Sequence, residues 1–220
     1  MKSDGYQTYN FQERWGGSAK YQYRFSENTV LTAFTGIVDL AANTPNVKGP
    51  TRAEVARIGD NYLLNNNPAD PRYYRYSFYQ IPTDFEYAGF TTALGGGWKL
   101  EDKAYTNRYY NHQQYNGSTI TTTSGTDKLN SYRKFGDILS VSQESKWGIL
   151  RTGLWYEWAN TDRFQTPTDP RTWLDASIPN FHERFITQST QPFAQYEFRV
   201  SSKLSVSGGF KVSNYNVHLN

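Results

Sequence analysis

Between residues 148 and 158 the chain reads GILRTGLWYEW, with Leu150, Thr152, Leu154, Tyr156 and Trp158 on one parity and Arg151, Gly153, Trp155 and Glu157 on the other. A period of two is that of a strand, whose successive side chains point to opposite faces. SAKYQYRF repeats it, with Ala19, Tyr21, Tyr23 and Phe25 against Lys20, Gln22 and Arg24. So do FAQYEFRV (Ala194, Tyr196, Phe198 and Val200 against Gln195, Glu197 and Arg199) and KLSVSGGFKV (Leu204, Val206, Phe210 and Val212 against Ser205, Ser207 and Lys211). In each of these strands the second face carries charge. A soluble sandwich would turn the apolar face inward to a second sheet; a membrane barrel would turn it outward to lipid and keep the charged face in a wet lumen. Tyr156 and Trp158, at one end of their strand, suit the boundary between hydrocarbon and headgroups. Segments 84–95 and 98–110 alternate poorly, because Asp102 and Arg108 share a parity with Leu100 and Ala104, and their faces stay unassigned.

The punctuation between strands separates the two environments. Short turns are predicted at SEN (26–28), GGG (95–97), SK (145–146) and SSK (201–203), each flanked by strand-like sequence. Between these hairpins lie long stretches, roughly 43–83, 111–134 and 160–190, rich in Asn, Pro, Thr, Asp and Tyr. Loops of that length are uncommon in compact domains unless they are functional. Tight turns alternating with long loops are the asymmetry of an outer-membrane barrel. The predicted class is therefore all-β: an antiparallel up-and-down transmembrane β-barrel, here a partial one of about eight strands in four hairpins with long extracellular loops. Within the first long stretch, Thr51 and Glu54 have the spacing of a capping box, which predicts a short helix.

Composition narrows this further. A mean hydropathy of -0.77 over 220 residues excludes helical membrane spans, but a barrel tolerates it because only every second strand residue must be apolar. Aromatic residues make up 17% of the chain, enough to furnish girdles or a surface for planar ligands. There is no cysteine, hence no disulfide and no thiolate metal site. A net charge of +3, evenly mixed, does not point to nucleic acid. The opening MKSDGYQTYN lacks the apolar stretch of an export signal, so the expectation is either a cytoplasmic protein or a mature or internal portion of an exported one.

Catalysis finds little support. His112, His182 and His218 are widely separated, so no metal site is expected. ALGGGWKL leads into neither a helix nor a Lys-Ser/Thr pair, which favours a turn over a phosphate cradle. Glu101 and Asp102 are adjacent, so on a strand they face opposite ways and cannot flank one substrate bond. The expectation is a non-enzyme without a cofactor. NGS at 116–118 matches a glycosylation sequon, read here as a chance match. Binding should live in the long loops, where PRYYRYSFYQ (71–80) and NRYYNHQQYNG (107–117) concentrate tyrosine and arginine. The candidate ligand-binding residues are Arg72, Tyr73, Tyr74, Tyr76, Tyr109, Tyr110, His112 and Tyr115. Stacking and charge-assisted hydrogen bonds from such a set suit a bulky, partly aromatic, often anionic ligand. The competing assignment for several of these tyrosines is the outer aromatic girdle.

The phrases YQYRFSENTVLTAFTGIVDLAANTPNVKGPTRAEVA, PTDFEYAGFTTALGGGWKLEDKAYTNRYYNHQQYNG and LRTGLWYEWANTDRFQTPTDPRTW resemble the barrel region of TonB-dependent outer-membrane receptors. The resemblance runs through most of the chain. It implies a 22-stranded barrel in the bacterial outer membrane, plugged by an N-terminal domain, that imports ferric siderophores, cobalamin or sugars with energy passed on by TonB. The partners implied are outer-membrane lipid, the plug, TonB and a small-molecule ligand. Residues 1–220 lack an export signal, a TonB box, a plug and a terminal aromatic residue, so the expectation is an internal slice of the barrel domain. Lys20, Arg24, Arg151, Glu157, Glu197, Arg199 and Lys211, on the lumen parity, would then be wall facing the plug. Two alternatives stay open: a complete eight-stranded barrel with a structural or adhesive role, and a soluble carbohydrate-binding β-sandwich. The residues do not name the ligand.

Overall fold

A computed structural model of the chain describes residues 1–43, 49–117 and 119–219. Residues 44–48 of the first long stretch, Ser118 of the sequon and the terminal Asn220 lie outside the described residues. The elements are β1 (Lys2–Ser3), β2 (Gln12–Ser26), β3 (Thr29–Ala42), α1 (Arg52–Ile58), β4 (Phe78–Gln80), β5 (Thr83–Gly95), β6 (Trp98–Asn116), β7 (Gly125–Ser145), β8 (Gly148–Thr168), β9 (Phe181–Ser201), β10 (Leu204–Lys211) and β11 (Asn214–Leu219). All pairings are antiparallel and join the strands into a single sheet. β4 and β5 both lie between β3 and β6, so they form one strand interrupted at Ile81–Pro82, where proline has no N–H for the ladder. β10 and β11 both pair with β9 and form another. Eight long strands in four hairpins result.

The four tight turns fall where the sequence places them, except that the third is Lys146–Trp147, one residue later. Gly95, Gly96 and Gly97 take φ values of 88°, 59° and 79°, a left-handed run that side chains disfavour, which is why this turn is glycine throughout. The long stretches need a larger correction. The first, between β3 and β4, carries α1 and is otherwise loop over its described residues, 43 and 49–77. The second and third are mostly strand: β6 runs to Asn116 and β7 starts at Gly125, while β8 runs to Thr168 and β9 starts at Phe181. His112 and Tyr115, expected in a loop, are therefore strand residues, and Tyr109 and Tyr110, expected at a strand end, lie within the strand. Where both faces of a strand meet polar surroundings, alternation is lost while the ladder continues, and sequence period cannot follow it. β7, β8 and β9 each have 21 residues, about 70 Å at ~3.3 Å per residue, against an apolar band of only about 25 Å.

Register assigns the faces that period left open. Leu154 pairs with Leu139, Leu139 with Asp102 and Asp102 with Phe90, so Asp102 shares the face of Leu154. Asp84, Arg108 and Arg133 lie directly across from one another on that same face. The other face is concave: Lys20 of β2, Tyr87 of β5, Lys103 of β6, Arg151 of β8, and Phe193 and Gln195 of β9 line one cavity of about 580 Å³. The lumen parity read from Lys20 and Arg151 is thus the concave one. Among the described residues no pairing joins β2 to β10 or β11, so the sheet is open and no second sheet covers it. Neither a soluble sandwich nor a closed eight-stranded ring has this topology.

Burial shows what the convex face requires. Among the described residues the buried hydrophobic side chains are few: Ala42, Tyr62, Leu64, Tyr76 and Ala159, with Pro170 in the 169–180 loop. Tyr62, Leu64 and Tyr76 belong to the 43–77 loop, so the core sits at the loop end. Tyr21, Tyr23, Phe25, Leu139, Leu154, Phe198, Val206 and Phe210 all stand exposed on the convex face. Trp98 and Trp147 mark the turn end, and Phe135, with its ring 5.9 Å from that of Trp158, marks the other boundary. From Trp147 to Trp158 the strand rises about 36 Å, or about 25 Å along a membrane normal at a tilt near 45°, the height of an apolar band. No helix among the described residues is long and apolar enough to cross a membrane.

α1 forms as its capping box predicts. Thr51 accepts from the Glu54 backbone N–H at 3.2 Å, and the Glu54 carboxylate accepts from the Thr51 N–H at 2.7 Å. That backbone hydrogen bond, ahead of the one from the Thr51 hydroxyl, holds the Glu54 carboxyl below its usual range. A lowered folded-state value stabilises above the unfolded value, and the effect is lost as pH falls through the folded one. The helix is expected to fray on acidification past the carboxylate range, and Thr51→Ala to speed amide exchange at Glu54 and Val55 by roughly tenfold at neutral pH. Exchange that is unchanged by the substitution would show the box to be unformed.

Candidate functional site

The described part of the loop between β3 and β4, residues 49–77, is held by its own contacts and by the N-terminal segment, whose Thr8 hydroxyl donates to the Leu64 carbonyl at 2.6 Å and accepts from the Leu63 N–H at 3.0 Å. Tyr76 is buried and donates its hydroxyl to the Pro68 carbonyl at 2.8 Å, while Tyr73 meets the rings of Tyr74 and Tyr76 edge-on at 5.2 and 5.1 Å. Tyr74 stacks on Tyr9 at 5.2 Å and accepts from Arg75 Nε at 2.9 Å. Arg72 lies 3.6 Å from the Glu54 carboxylate, donates to the Gly49 carbonyl and covers the Tyr62 ring. Of this group, Tyr73 and Tyr74 remain part-exposed, whereas Tyr76 is packing.

The candidates on β6 divide by parity. Tyr109 and Tyr115 belong to the concave face; Tyr110 and His112 belong to the convex one. One ligand cannot rest on all four. Tyr109 stacks on Tyr132 of β7 at 5.3 Å, and its hydroxyl accepts from Asn111 at 2.9 Å. Arg108 covers the Tyr110 ring, and His112 shares a 2.7 Å hydrogen bond with Asp127. The 169–180 loop folds over that convex patch: Trp173 meets Phe78 edge-on at 5.8 Å, and Phe78 meets His112 at 6.2 Å. Burial, then the neighbouring Asp127 charge, pushes the Asp175 carboxyl above its usual range. No group of three or more metal-binding side chains comes together among the described residues.

A second constellation, which the sequence reading missed, lines the concave wall. Phe34, Phe85, Tyr87 and Tyr105 form a ring cluster with centroids 5.4 to 6.3 Å apart. Tyr105 donates to the Glu157 carboxylate at 2.7 Å and accepts from Trp155 Nε1 at 2.8 Å, and Lys134 reaches Glu157 at 3.0 Å. The Tyr105 ring lies over Gly136, directly opposite on β7, and the Phe193 ring over Gly153; a Cβ at either glycine would collide with the ring above it. These aromatic residues were hidden because the faces of β5 and β6 could not be assigned. Aromatic residues opposite glycines across paired strands would have been the signal.

No protein-family profile and no curated protein sequence matches the chain. Its likeness is to solved structures. The unliganded ferric citrate transporter FecA superposes with a TM-score of 0.75 at 13% identity, over 97% of this chain and 31% of that one. The ferripyoverdine receptor of the outer membrane of Pseudomonas aeruginosa gives 0.73 at 10% identity, over 100% of this chain and 32% of that one. The siderophore receptor PiuA of Acinetobacter baumannii gives 0.61 at 9% identity, over 96% and 40%. The chain thus spans about a third of the length of the first two. Open antiparallel sheet, tight turns at one end, strands outrunning the apolar band and superposition over nearly every residue agree: this chain has the fold of the barrel wall of TonB-dependent receptors.

Proposed function

We propose that the chain is part of the barrel of a bacterial outer-membrane receptor that takes up a scarce nutrient, with a ferric siderophore as the leading candidate, using energy delivered through TonB. The observation that carries this reading is superposition on ferric citrate, ferripyoverdine and siderophore receptors over 96% or more of the chain. The exposed convex face supports it, since such a surface is stable in lipid and a liability in water. Residues 1–220 then belong to one barrel domain, the concave charges face a plug, and no catalysis is involved. Ligand reception falls to the upper concave wall and the loop beside it, through Tyr109, Tyr115, Tyr73 and Tyr74. Tyr76, Tyr110, His112 and Arg72 support the loops that surround them.

The test uses the full-length protein in cells stripped of their own outer-membrane iron receptors. Labelled ferric chelates should accumulate when TonB is present and only bind at the surface when it is deleted. Absence of TonB-dependent accumulation for ferric chelates, cobalamin and oligosaccharides alike would overturn the importer reading.

A further inference from the structure

Tyr9 holds a conformation that tyrosine avoids. Residues 7–10 make a turn in which the Asn10 N–H donates to the Gln7 carbonyl at 3.3 Å, and Tyr9, its third residue, has a φ of 55°. Glycine or asparagine is the usual occupant of a third turn position with positive φ. A bulky residue there is strained and persists only where its surroundings hold it. Thr8, one residue earlier, fastens the segment to the 49–77 loop: its N–H donates to the Asn61 carbonyl at 2.8 Å, its carbonyl accepts from the Leu64 N–H at 3.2 Å, and its hydroxyl bridges Leu63 and Leu64. The Tyr9 ring then stacks on that of Tyr74, with centroids 5.2 Å apart and planes 20° from parallel. That stack is the ring's one tie among the described residues, where its hydroxyl has no hydrogen bond and Tyr9 is 46% exposed.

Tyr74, by contrast, is anchored. Its N–H donates to the Asn65 carbonyl at 2.9 Å, its carbonyl accepts from Asn43 Nδ2 at 3.1 Å, and its hydroxyl accepts from Arg75 Nε at 2.9 Å. The Arg75 guanidinium also lies over the Tyr74 ring, 5.5 Å from its centroid, but that hydrogen bond keeps it there. Of the two groups against the ring, Tyr9 is therefore the one that yields. We infer that Tyr9 is an internal competitor for Tyr74: it occupies a stacking face of that ring and gives it up to a ring-bearing ligand. Departure from the left-handed conformation offsets part of the lost stack, and Thr8 keeps the segment fastened while the ring swings away. The contact also selects, because a ligand without a ring cannot replace the stack and leaves Tyr9 in place. The inference rests on the receptor reading, which gives Tyr74 to ligand reception.

The experiment titrates the detergent-solubilised full-length protein by calorimetry with the ferric complex of a tris-catechol chelator, whose rings can stack, and with ferric citrate, which has none. Tyr9→Gly removes the ring and keeps the turn, since glycine is at ease at this φ. The catecholate complex should bind this variant about two- to tenfold more tightly than the wild type, the factor for one ring pair that no longer has to be broken. Ferric citrate should bind both alike. Tyr9→Phe keeps the stack and should match the wild type, and adding Tyr74→Ala to Tyr9→Gly should abolish the gain. Unchanged or weaker catecholate binding in Tyr9→Gly would make Tyr9 loop packing alone, and an equal gain for citrate would trace the effect to a loosened loop; either overturns the inference. TonB-dependent accumulation in cells without the catecholate gain would remove this inference and leave the receptor reading standing. The gain without accumulation would remove the import reading and leave the competition between rings.

Discussion

Leu154→Arg is expected to destabilise the barrel in a bilayer by about 2 to 4 kcal/mol, the cost of a cation at mid-membrane. Leu154 pairs with Leu139 on β7 and Pro192 on β9, and it sits between the Trp147 and Trp158 levels. On the convex face it is 43% exposed. Arg151→Leu, on the concave face, should change stability far less. Stability alone does not identify the medium, because a buried leucine in water would also resent arginine. A spin label at 154 should be relaxed by lipid-borne quenchers, and one at 151 by water-soluble ones. If label 154 proved shielded from acyl chains and Ala194, Tyr196 and Phe198 behaved alike, the membrane assignment would be lost, and the importer with it.

A comparable loss is expected from Gly136→Val. The Tyr105 ring occupies the space a side chain at 136 needs, so the ring must leave. Overpacking costs about 1 to 3 kcal/mol, and breaking the hydrogen bond from Tyr105 to the Glu157 carboxylate adds about 1.5 to 3 kcal/mol, for a total of about 2.5 to 6 kcal/mol. Tyr105→Phe keeps the ring on Gly136 and should show only the second part. Urea titration of each variant in lipid vesicles measures both. Wild-type stability in Gly136→Val would mean that the ring does not rest there.

Legibility of the sequence tracked the number of environments a strand meets. Strands β2, β8, β9 and β10 carry apolar side chains on the convex face and charged ones on the concave face in their lower halves, so Tyr21 with Lys20, or Leu154 with Arg151, announced both faces. β5 and β6 place Asp84, Asp102 and Arg108 on the apolar side and Phe85, Tyr87 and Tyr105 on the polar side, and period failed there. Turn chemistry located all four hairpins to within a residue, because tight turns depend on local residues alone. The upper strands were taken for loops since Asn, Thr and Gln satisfy a ladder in water as readily as a coil. Of the candidate site, tyrosine and arginine content singled out the right neighbourhood, but sorting it needed register: Tyr109 and Tyr110 are neighbours in sequence and on opposite sides of the wall.

On the receptor reading, strands that outrun an apolar band would also change the thermodynamics of capture. β8 continues ten residues past Trp158, and Tyr109, Tyr115 and Tyr132 stand on hydrogen-bonded ladder at that height. A floppy loop surrenders about 1 to 2 kcal/mol of backbone entropy per residue when a ligand orders it. A collar already laced by its neighbours has given up that freedom on folding, so more of each contact is available as affinity. Ligands would be received by a preset vestibule standing clear of the headgroups.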